Sequence, residues 1–279
     1  MDAVGGGTVD EAERARELAA VAGERTQLLI ETLATLDRKE LEAPSLLPTW
    51  SRLNVACHLR YSTRAILRIT RDALEGRTSA YYPDGRDRQR PSTLVPEPGE
   101  QSDDVLADWR RAALELDALW SEVDVGAWRL IVREPQDNPD LGDVPLSRFA
   151  LARLTETDVH GVDLGIGFPD WSDTLIEVGL PVRLGWLATR RANHRAFDRT
   201  IRGTWRLESE NGFSWTITVD GERVESAPTS PRSAAPTATL CASERDLLAL
   251  LLGRPPSGAV TVAGDVDFGR SFNAAFPGP

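Results

Sequence analysis

The chain has 279 residues, which is enough for one large domain or two ordinary ones. Its composition, 41% hydrophobic and 27% charged, is that of a globular protein, and no apolar run approaches the ~20 residues of a membrane span. The formal net charge of −11, with arginines scattered among acids, argues against nucleic acid as a partner and favours a small-molecule ligand.

The N-terminus is acidic and lacks the basic and apolar order of a secretory signal, so we expect a cytoplasmic protein. The two cysteines, Cys57 and Cys241, lie far apart in the sequence and are interpreted as reduced, buried side chains. The oligomeric state does not follow from the sequence.

Helical periodicity dominates the first two thirds of the chain. Apolar residues recur at helical spacing from Asp10 to Leu36, and a second amphipathic helix follows Ser51, a suitable N-cap. The segment 81–101 is rich in proline and glycine, which predicts a long surface loop without regular structure. Loops of this length often cover a site.

Three further helices are predicted. One begins near Ser102, and the next begins near Pro145 and ends at Gly161, a residue suited to a left-handed C-terminal cap. The last is predicted from about Leu180 to Asn193, with Pro181 in its first turn.

The periodicity then changes from helical to alternating. Apolar and polar residues alternate from Phe213 to Asp220, which predicts a half-buried strand that ends in an Asp-Gly hairpin turn. Two more strands, at 237–241 and 259–263, flank an apolar helix that starts at Ser243. The predicted fold class is α+β, with a helical bundle at 1–195 and a small α+β domain at 196–279.

The fourth predicted helix carries a carboxylate on its core face. Glu156 and His160 are four residues apart and share a face with Phe149 and Ala152. A buried carboxylate needs a cation, a hydrogen-bond partner or a metal, and His58 of the second helix can join it if the two helices are neighbours. Two nitrogens and one oxygen would form a ligand set of the catalytic zinc type, with a fourth position open.

A simpler interpretation of the same spacing is a surface ion pair or a satisfied hydrogen bond in the core. The third histidine, His194, is interpreted as a solvated residue at a helix end. Cys57 is adjacent to His58 but has no activating base, and we assign it to the core. Arg86, Arg88 and Arg90 of the long loop can bind anions, but a charge run in a polar loop is usually solvated.

Four segments together resemble the mycothiol-dependent maleylpyruvate isomerase family over nearly the whole chain: LLPTWSRLNVACHL, YYPDGRDR, TETDVHGVDLGIGFPDW and LLGRPPSGAVTVAGDV. The resemblance implies a DinB-like four-helix metal-binding bundle followed by a small domain similar to sterol carrier protein. It implies that His58, Glu156 and His160 bind a divalent metal, usually zinc. The family uses an arginine of the small C-terminal domain near its active site, and Arg254 is the nearest match in this sequence.

The resemblance also implies mycothiol, the thiol of actinobacteria, as cosubstrate, activated as a metal-bound thiolate. We expect a mycothiol S-transferase that acts on an electrophilic small molecule in detoxification or in natural-product biosynthesis such as that of antibiotics. Two alternative activities would use the same three metal ligands: a maleylpyruvate cis-trans isomerase and a hydrolase with a metal-activated water. A further alternative is a non-enzymatic carrier of lipids or other small molecules.

Overall fold

Amphipathic helices build the first of two compact units. The computed structural model describes residues 6–135, 143–188 and 198–278, and the chain divides into Met1–Ser172 and Asp173–Pro279. The helices of the first unit are α1 (Gly6–Leu33), α2 (Arg38–Glu42), α3 (Arg52–Leu74), α4 (Arg86–Gln89), α5 (Ser102–Glu122) and α6 (Ser147–Asp163). Both α1 and α3 pack against α5 and α6, so the four long helices close into a bundle.

Helix α3 begins where its sequence predicts. The Ser51 side chain accepts from the backbone N–H of Asn54, and the Asn54 side chain accepts from the backbone N–H of Ser51, which forms a capping box. The stripe at helical spacing is buried, and its first two members pack in a core shared with α1 and α5. Its members are Val55, Leu59, Ile66, Ile69 and Ala73. The predicted interpretation of Cys57 as a core residue agrees with its complete burial.

The segment 81–101 is more regular than predicted. It holds α4 and a 3-10 helix, Arg90–Leu94. Proline does not prevent this because Pro91 lies in the first turn of the 3-10 helix, where its missing N–H removes no bond. A second 3-10 helix (Ala127–Arg129) and a two-stranded ladder of β1 (Ile131–Val132) and β2 (Val144–Pro145) lie between α5 and α6.

The predicted end of α6 at Gly161 is wrong. The helix continues to Asp163, and the glycine with a left-handed φ is Gly165. Gly161 lies inside the helix, where the ring of Phe168 packs directly against its backbone. A Cβ at this position would lie 2.3 Å from Cδ1 of Phe168. The glycine therefore provides a close approach, not a cap.

A five-stranded sheet forms the centre of the second unit. Its strands are β3 (Arg202–Glu208), β4 (Ser214–Asp220), β5 (Arg223–Pro228), β6 (Ala238–Cys241) and β7 (Thr261–Gly264). The strand order is β5-β4-β3-β6-β7, with β3 and β6 parallel and the other neighbours antiparallel. The β4–β5 hairpin turns at Gly221, whose φ of 62° favours glycine, as the Asp-Gly pair predicted. The α+β fold class is thereby confirmed.

The helices of this unit are α7 (Asp173–Gly185), α8 (Glu244–Leu251), α9 (Val266–Arg270) and α10 (Phe272–Ala275). Helix α8 begins after the N-cap Ser243, as predicted. Helix α7 differs from its prediction, because it starts at Asp173 and holds Pro181 in its interior. The part of the predicted helix beyond residue 188, with His194, lies outside the described residues.

Helix α7 packs within the second unit, against α8. Its Leu184 carbonyl accepts a hydrogen bond of 2.8 Å from the Ser226 hydroxyl of β5. The division between the compact units consequently falls after Ser172, earlier than the predicted boundary at residue 195. Within the described residues, no helix has both the length and the apolar character needed to cross a membrane.

We expect Gly161→Ala to destabilise the protein by about 1–3 kcal/mol, because the added methyl group must displace the buried Phe168 ring. Urea unfolding followed by tryptophan fluorescence measures the change. Gly185→Ala is the matched control, since nothing lies within 4 Å of its added Cβ. Equal stability of the two variants would show that the Phe168 contact has no energetic weight.

Asp246 links α8 to the loop that follows it. The carboxylate is 2% exposed and accepts from the backbone N–H groups of Ser257 and Gly258 and from the hydroxyls of Ser243 and Ser257. Burial alone would raise the pKa of Asp246, but these hydrogen bonds hold the pKa below its usual value. The ionised carboxylate is therefore the form that stabilises this part of the fold.

We expect Asp246→Asn to lower the stability of the protein by about 1–3 kcal/mol at neutral pH, because the amide leaves N–H donors without an acceptor. The folded-state pKa lies below the unfolded value, so the contribution is complete above the unfolded pKa and disappears as pH falls through the folded pKa. Urea unfolding at a series of pH values should show the wild-type advantage shrinking in acid. A difference that does not vary with pH would contradict this assignment.

Candidate metal centre

The packing of α3 against α6 brings the three predicted ligands together. His58 lies on α3, while Glu156 and His160 lie one helical turn apart on α6. Nε2 of His58 is 2.9 Å from Oε2 of Glu156, and Nε2 of His160 is 3.4 Å from the same oxygen. One ligand atom from each residue lies within 4.8 Å of the others. The cluster thus presents two nitrogens and one oxygen to a common point.

The cluster is buried on one side and open on the other. The side chains of His58 and His160 are 8% and 12% exposed, whereas that of Glu156 is 37% exposed. Trp50 borders both imidazoles, with ring centroids 5.5 Å from that of His58 and 6.3 Å from that of His160. A small molecule can therefore approach the donor atoms from the side of Glu156.

A second carboxylate orients His160. Nδ1 of His160 lies 2.9 Å from Oδ2 of Asp163, which is buried at the end of α6. A hydrogen bond from Nδ1–H to a carboxylate leaves the lone pair of Nε2 free for a ligand, and metal-binding histidines usually have such a partner. His58 differs, because its buried Nδ1 has no hydrogen-bond partner among the described residues.

Charge and burial set the protonation of the cluster. Burial opposes ionisation of Glu156, but hydrogen bonds with His160 and His58 hold its pKa well below the usual range. Burial likewise disfavours the charged form of His160, yet hydrogen bonds with Asp163 and Glu156 raise its pKa to about 9. Burial lowers the pKa of His58, and the hydrogen bond with Glu156 only partly offsets it. Without a metal, an ionised carboxylate thus lies between a neutral and a charged imidazole.

The donor set fits a divalent metal ion. Two imidazoles and one carboxylate are the ligands that catalytic zinc sites use, with a further position left for water or substrate. The i,i+4 pair on one helix and the third ligand on a neighbouring helix repeat the way in which helical bundles assemble metal sites. Other first-row ions accept the same donors, so the geometry does not select zinc.

Sequence reasoning missed several groups around the cluster. Asp163 lies three residues after His160, a spacing that would have indicated a partner on the same helix face. The charge of Glu156 reaches the Tyr81 hydroxyl: burial is the main cause that raises the Tyr81 pKa, and this charge adds to it. Arg90, which we interpreted as solvated, is half-buried and lies over the Trp50 ring, with Cζ 5.9 Å from the ring centroid.

The other candidate residues lie elsewhere. Arg254 follows α8 in the second unit, where its Nη1 donates to the backbone carbonyl of Leu252 at 3.2 Å. Its predicted role near an active site stays a prediction. Burial raises the pKa of the Cys57 thiol to about 11, which makes it a poor nucleophile. Cys241 is only half-buried, and His194 lies outside the described residues.

Fold and site define the class: a two-unit α+β protein whose N-terminal helical bundle presents a His/Glu/His cluster able to hold a metal ion. The family described as "Mycothiol maleylpyruvate isomerase N-terminal domain" matches residues 21–165, just over half of the chain, with all three cluster residues. The chain therefore belongs to this family.

Two solved structures share the fold. The first is described as "Crystal structure of the mycothiol-dependent maleylpyruvate isomerase". It is 20% identical, has a TM-score of 0.63, and the match covers 90% of this chain and 94% of that chain. The second is a histidine-to-alanine mutant of a protein with the same description, at 19% identity and a TM-score of 0.62, with the same coverage. No sequence among the curated proteins matches.

We expect protein purified without chelator or nickel affinity resin to carry about one divalent ion per chain, and His58→Ala and His160→Ala to lose it. Asp163→Asn should weaken metal affinity by about 10–100-fold, because the neutral amide no longer raises the basicity of His160. Elemental analysis and metal titration measure both effects.

His194→Ala is the matched control, since it removes the one histidine outside the predicted ligand set and should keep the metal. A wild-type protein that takes up no metal after reconstitution would show that the cluster is a hydrogen-bonded structural element. Metal lost from the His194 variant as well would contradict the ligand assignment.

Proposed function

We propose that the protein is a mycothiol-dependent enzyme whose bundle holds a divalent metal through His58, Glu156 and His160, and which transfers the thiol to an electrophilic small molecule. The observation that carries the proposal is the convergence of these three donors at an opening beside Glu156. Family membership supports mycothiol as the thiol, because both structural neighbours are described as mycothiol-dependent.

Each protein group has a distinct part in this proposal. His58 and His160 would bind through neutral imidazole nitrogens, and Glu156 is the one carboxylate among the three donors. Asp163 holds the Nδ1–H tautomer of His160. A divalent ion held by these donors would leave one net positive charge at the site and would lower the pKa of a thiol bound there. The Trp50 ring covers one side of the cluster, which limits the access of water.

The proposed reaction is attack of the thiolate sulfur on an electrophilic carbon of the second substrate. In a displacement, a carbon–sulfur bond forms, the leaving group departs with its electron pair, and the thiol proton passes to solvent. In an addition, the carbon–sulfur bond forms as the carbon–carbon double bond opens, and the neighbouring carbon takes up a proton from solvent in place of the one the thiol released. The hydroxyls of mycothiol require hydrogen-bonding groups around the opening. In the transferase the sulfur stays on the product.

Isomerisation is the second candidate. An isomerase would add the same thiol to a cis-enediacid, allow rotation about the former double bond and release the thiol again. The sequence argument against it was the lack of a cationic group for the substrate carboxylates. Arg90 beside Trp50 supplies one such group, and this position favours keeping the isomerase as an alternative.

Measuring how much mycothiol is consumed per product formed distinguishes the candidate reactions. The purified protein is incubated with mycothiol and either 1-chloro-2,4-dinitrobenzene or maleylpyruvate, and thiol loss and product are followed together. We expect stoichiometric loss of mycothiol with thioether formation. Turnover of maleylpyruvate without net loss of thiol would identify the isomerase, and product formed without thiol would identify a hydrolase. No turnover together with saturable lipid binding would favour the carrier.

His160→Ala should reduce turnover at least about 100-fold, because a metal site contributes several kcal/mol of stabilisation to the reaction. Arg254→Gln tests the residue of the second unit in the same assay. If Arg254 contacts the substrate, its turnover falls while metal content stays at the wild-type level. Full activity of the His160 variant would refute the proposed mechanism.

A further inference from the structure

The Arg90 side chain is held in position without a carboxylate partner among the described residues. Among the described residues, no aspartate or glutamate forms an ion pair with it, and its Nη1 donates a hydrogen bond of 3.0 Å to the hydroxyl of Tyr82. Two arginines of the bundle that are more buried are neutralised: Arg60 pairs with Glu100 at 2.5 Å and Arg153 pairs with Asp117 at 2.5 Å. Arg90 therefore keeps its positive charge in a chain whose formal net charge is −11.

The structure holds the Arg90 guanidinium in place. Tyr82, which accepts its hydrogen bond, is 2% exposed and stacks on Tyr61 with centroids 5.2 Å apart. The backbone of the 3-10 helix is fixed at its other end, because Nδ2 of Asn54 donates to the Leu94 carbonyl at 2.7 Å. Asn54 belongs to the first turn of α3, the helix that carries His58. The cation is therefore positioned relative to the metal centre.

Trp50 connects Arg90 with the two histidines. Its ring lies under the guanidinium and borders both imidazoles. Burial is the largest cause of the lowered pKa of His58, and the positive charge of Arg90 acts in the same direction. Guanidinium on an aromatic face is a stable arrangement that leaves the N–H groups at its edge available.

We propose that Arg90 is a specificity-determining residue that binds a carboxylate of the electrophilic substrate beside the metal centre. Guanidinium has five N–H donors in a planar fork that matches a carboxylate, and Tyr82 accepts from one nitrogen only. Mycothiol offers hydroxyls and amides, so the anionic group belongs to the second substrate. The identity of the substrate in this inference rests on the proposed function. The test does not, because it needs neither thiol nor metal.

The test measures binding of succinate, a saturated dicarboxylate that cannot react with thiols, by isothermal titration calorimetry. Metal-free and zinc-loaded protein are compared, because a carboxylate can also bind the metal itself. We expect saturable binding of succinate by metal-free wild type and none of dimethyl succinate, which has the same shape without charge. Arg90→Gln should weaken succinate binding at least about tenfold, and Arg90→Lys should restore part of it.

Arg88→Gln is the matched control, because it removes the same charge from an exposed position two residues away. It should bind succinate as the wild type does, and elemental analysis should show unchanged metal content in the Arg90 variants. Equal succinate affinity of wild type and Arg90→Gln would overturn the proposal. So would a loss of equal size in Arg88→Gln, or no saturable binding by the metal-free wild type. Failure of thiol turnover alone would overturn the proposed function and leave this result standing.

Discussion

The compensation of the Glu156 carboxylate is the interaction on which the site depends. An ionised carboxylate on the core side of a helix is costly without partners, and His58 and His160 supply them from two different helices. Because the partners come from α3 and α6, the same contact that satisfies Glu156 also fixes how these helices face each other. A site with an open side is built where a bundle would otherwise have apolar packing.

Other polar groups of α6 fix the orientation of that helix about its own axis. Asp158 is fully buried and is paired with Arg25 of α1 at 2.5 Å, while it also accepts from the backbone and hydroxyl of Ser172. Arg153, five residues earlier, reaches Asp117 of α5 at 2.5 Å. Hydrogen bonds are directional, so these pairs tie α6 to two neighbours and leave Glu156 and His160 facing the third.

The loop between α3 and α5 belongs to the site. Composition predicted an irregular, solvated segment, yet its tyrosines pack on α3 and its 3-10 helix is anchored to the first turn of α3. Its positive charge lies beside the candidate ligands in a strongly acidic chain. Such an arrangement suits an anionic electrophile, and it removes the main sequence-based argument for preferring transfer over isomerisation.

Local signals in the sequence determined the presence of the long bundle helices, the start of α3 at Ser51, the β4–β5 hairpin and the shared face of Glu156 and His160. Each of these depends on residues within a few positions of one another. Strand β3 was missed because only Trp205 and Leu207 carry its alternation, which is too short a signal, and its burial comes from strands on both sides. Gly161 was misinterpreted as a cap because its reason, the Phe168 ring, acts through packing.

Only the tertiary structure shows which residues meet at the site. Spacing placed two ligands on one helix, and His58 was proposed as the third on the condition that the two helices are neighbours, which the family resemblance supported. Only the packing of α3 on α6 brings the three donor atoms within 4.8 Å. Neither the charge run nor the loop composition distinguishes Arg90 from Arg86 and Arg88. The difference is that Arg90 lies over the ring of Trp50 and donates to the Tyr82 hydroxyl, contacts whose partners are distant or irregularly spaced in the chain. Periodicity in the sequence determines which face of a helix is buried, whereas the meeting of charges from different elements is decided by packing.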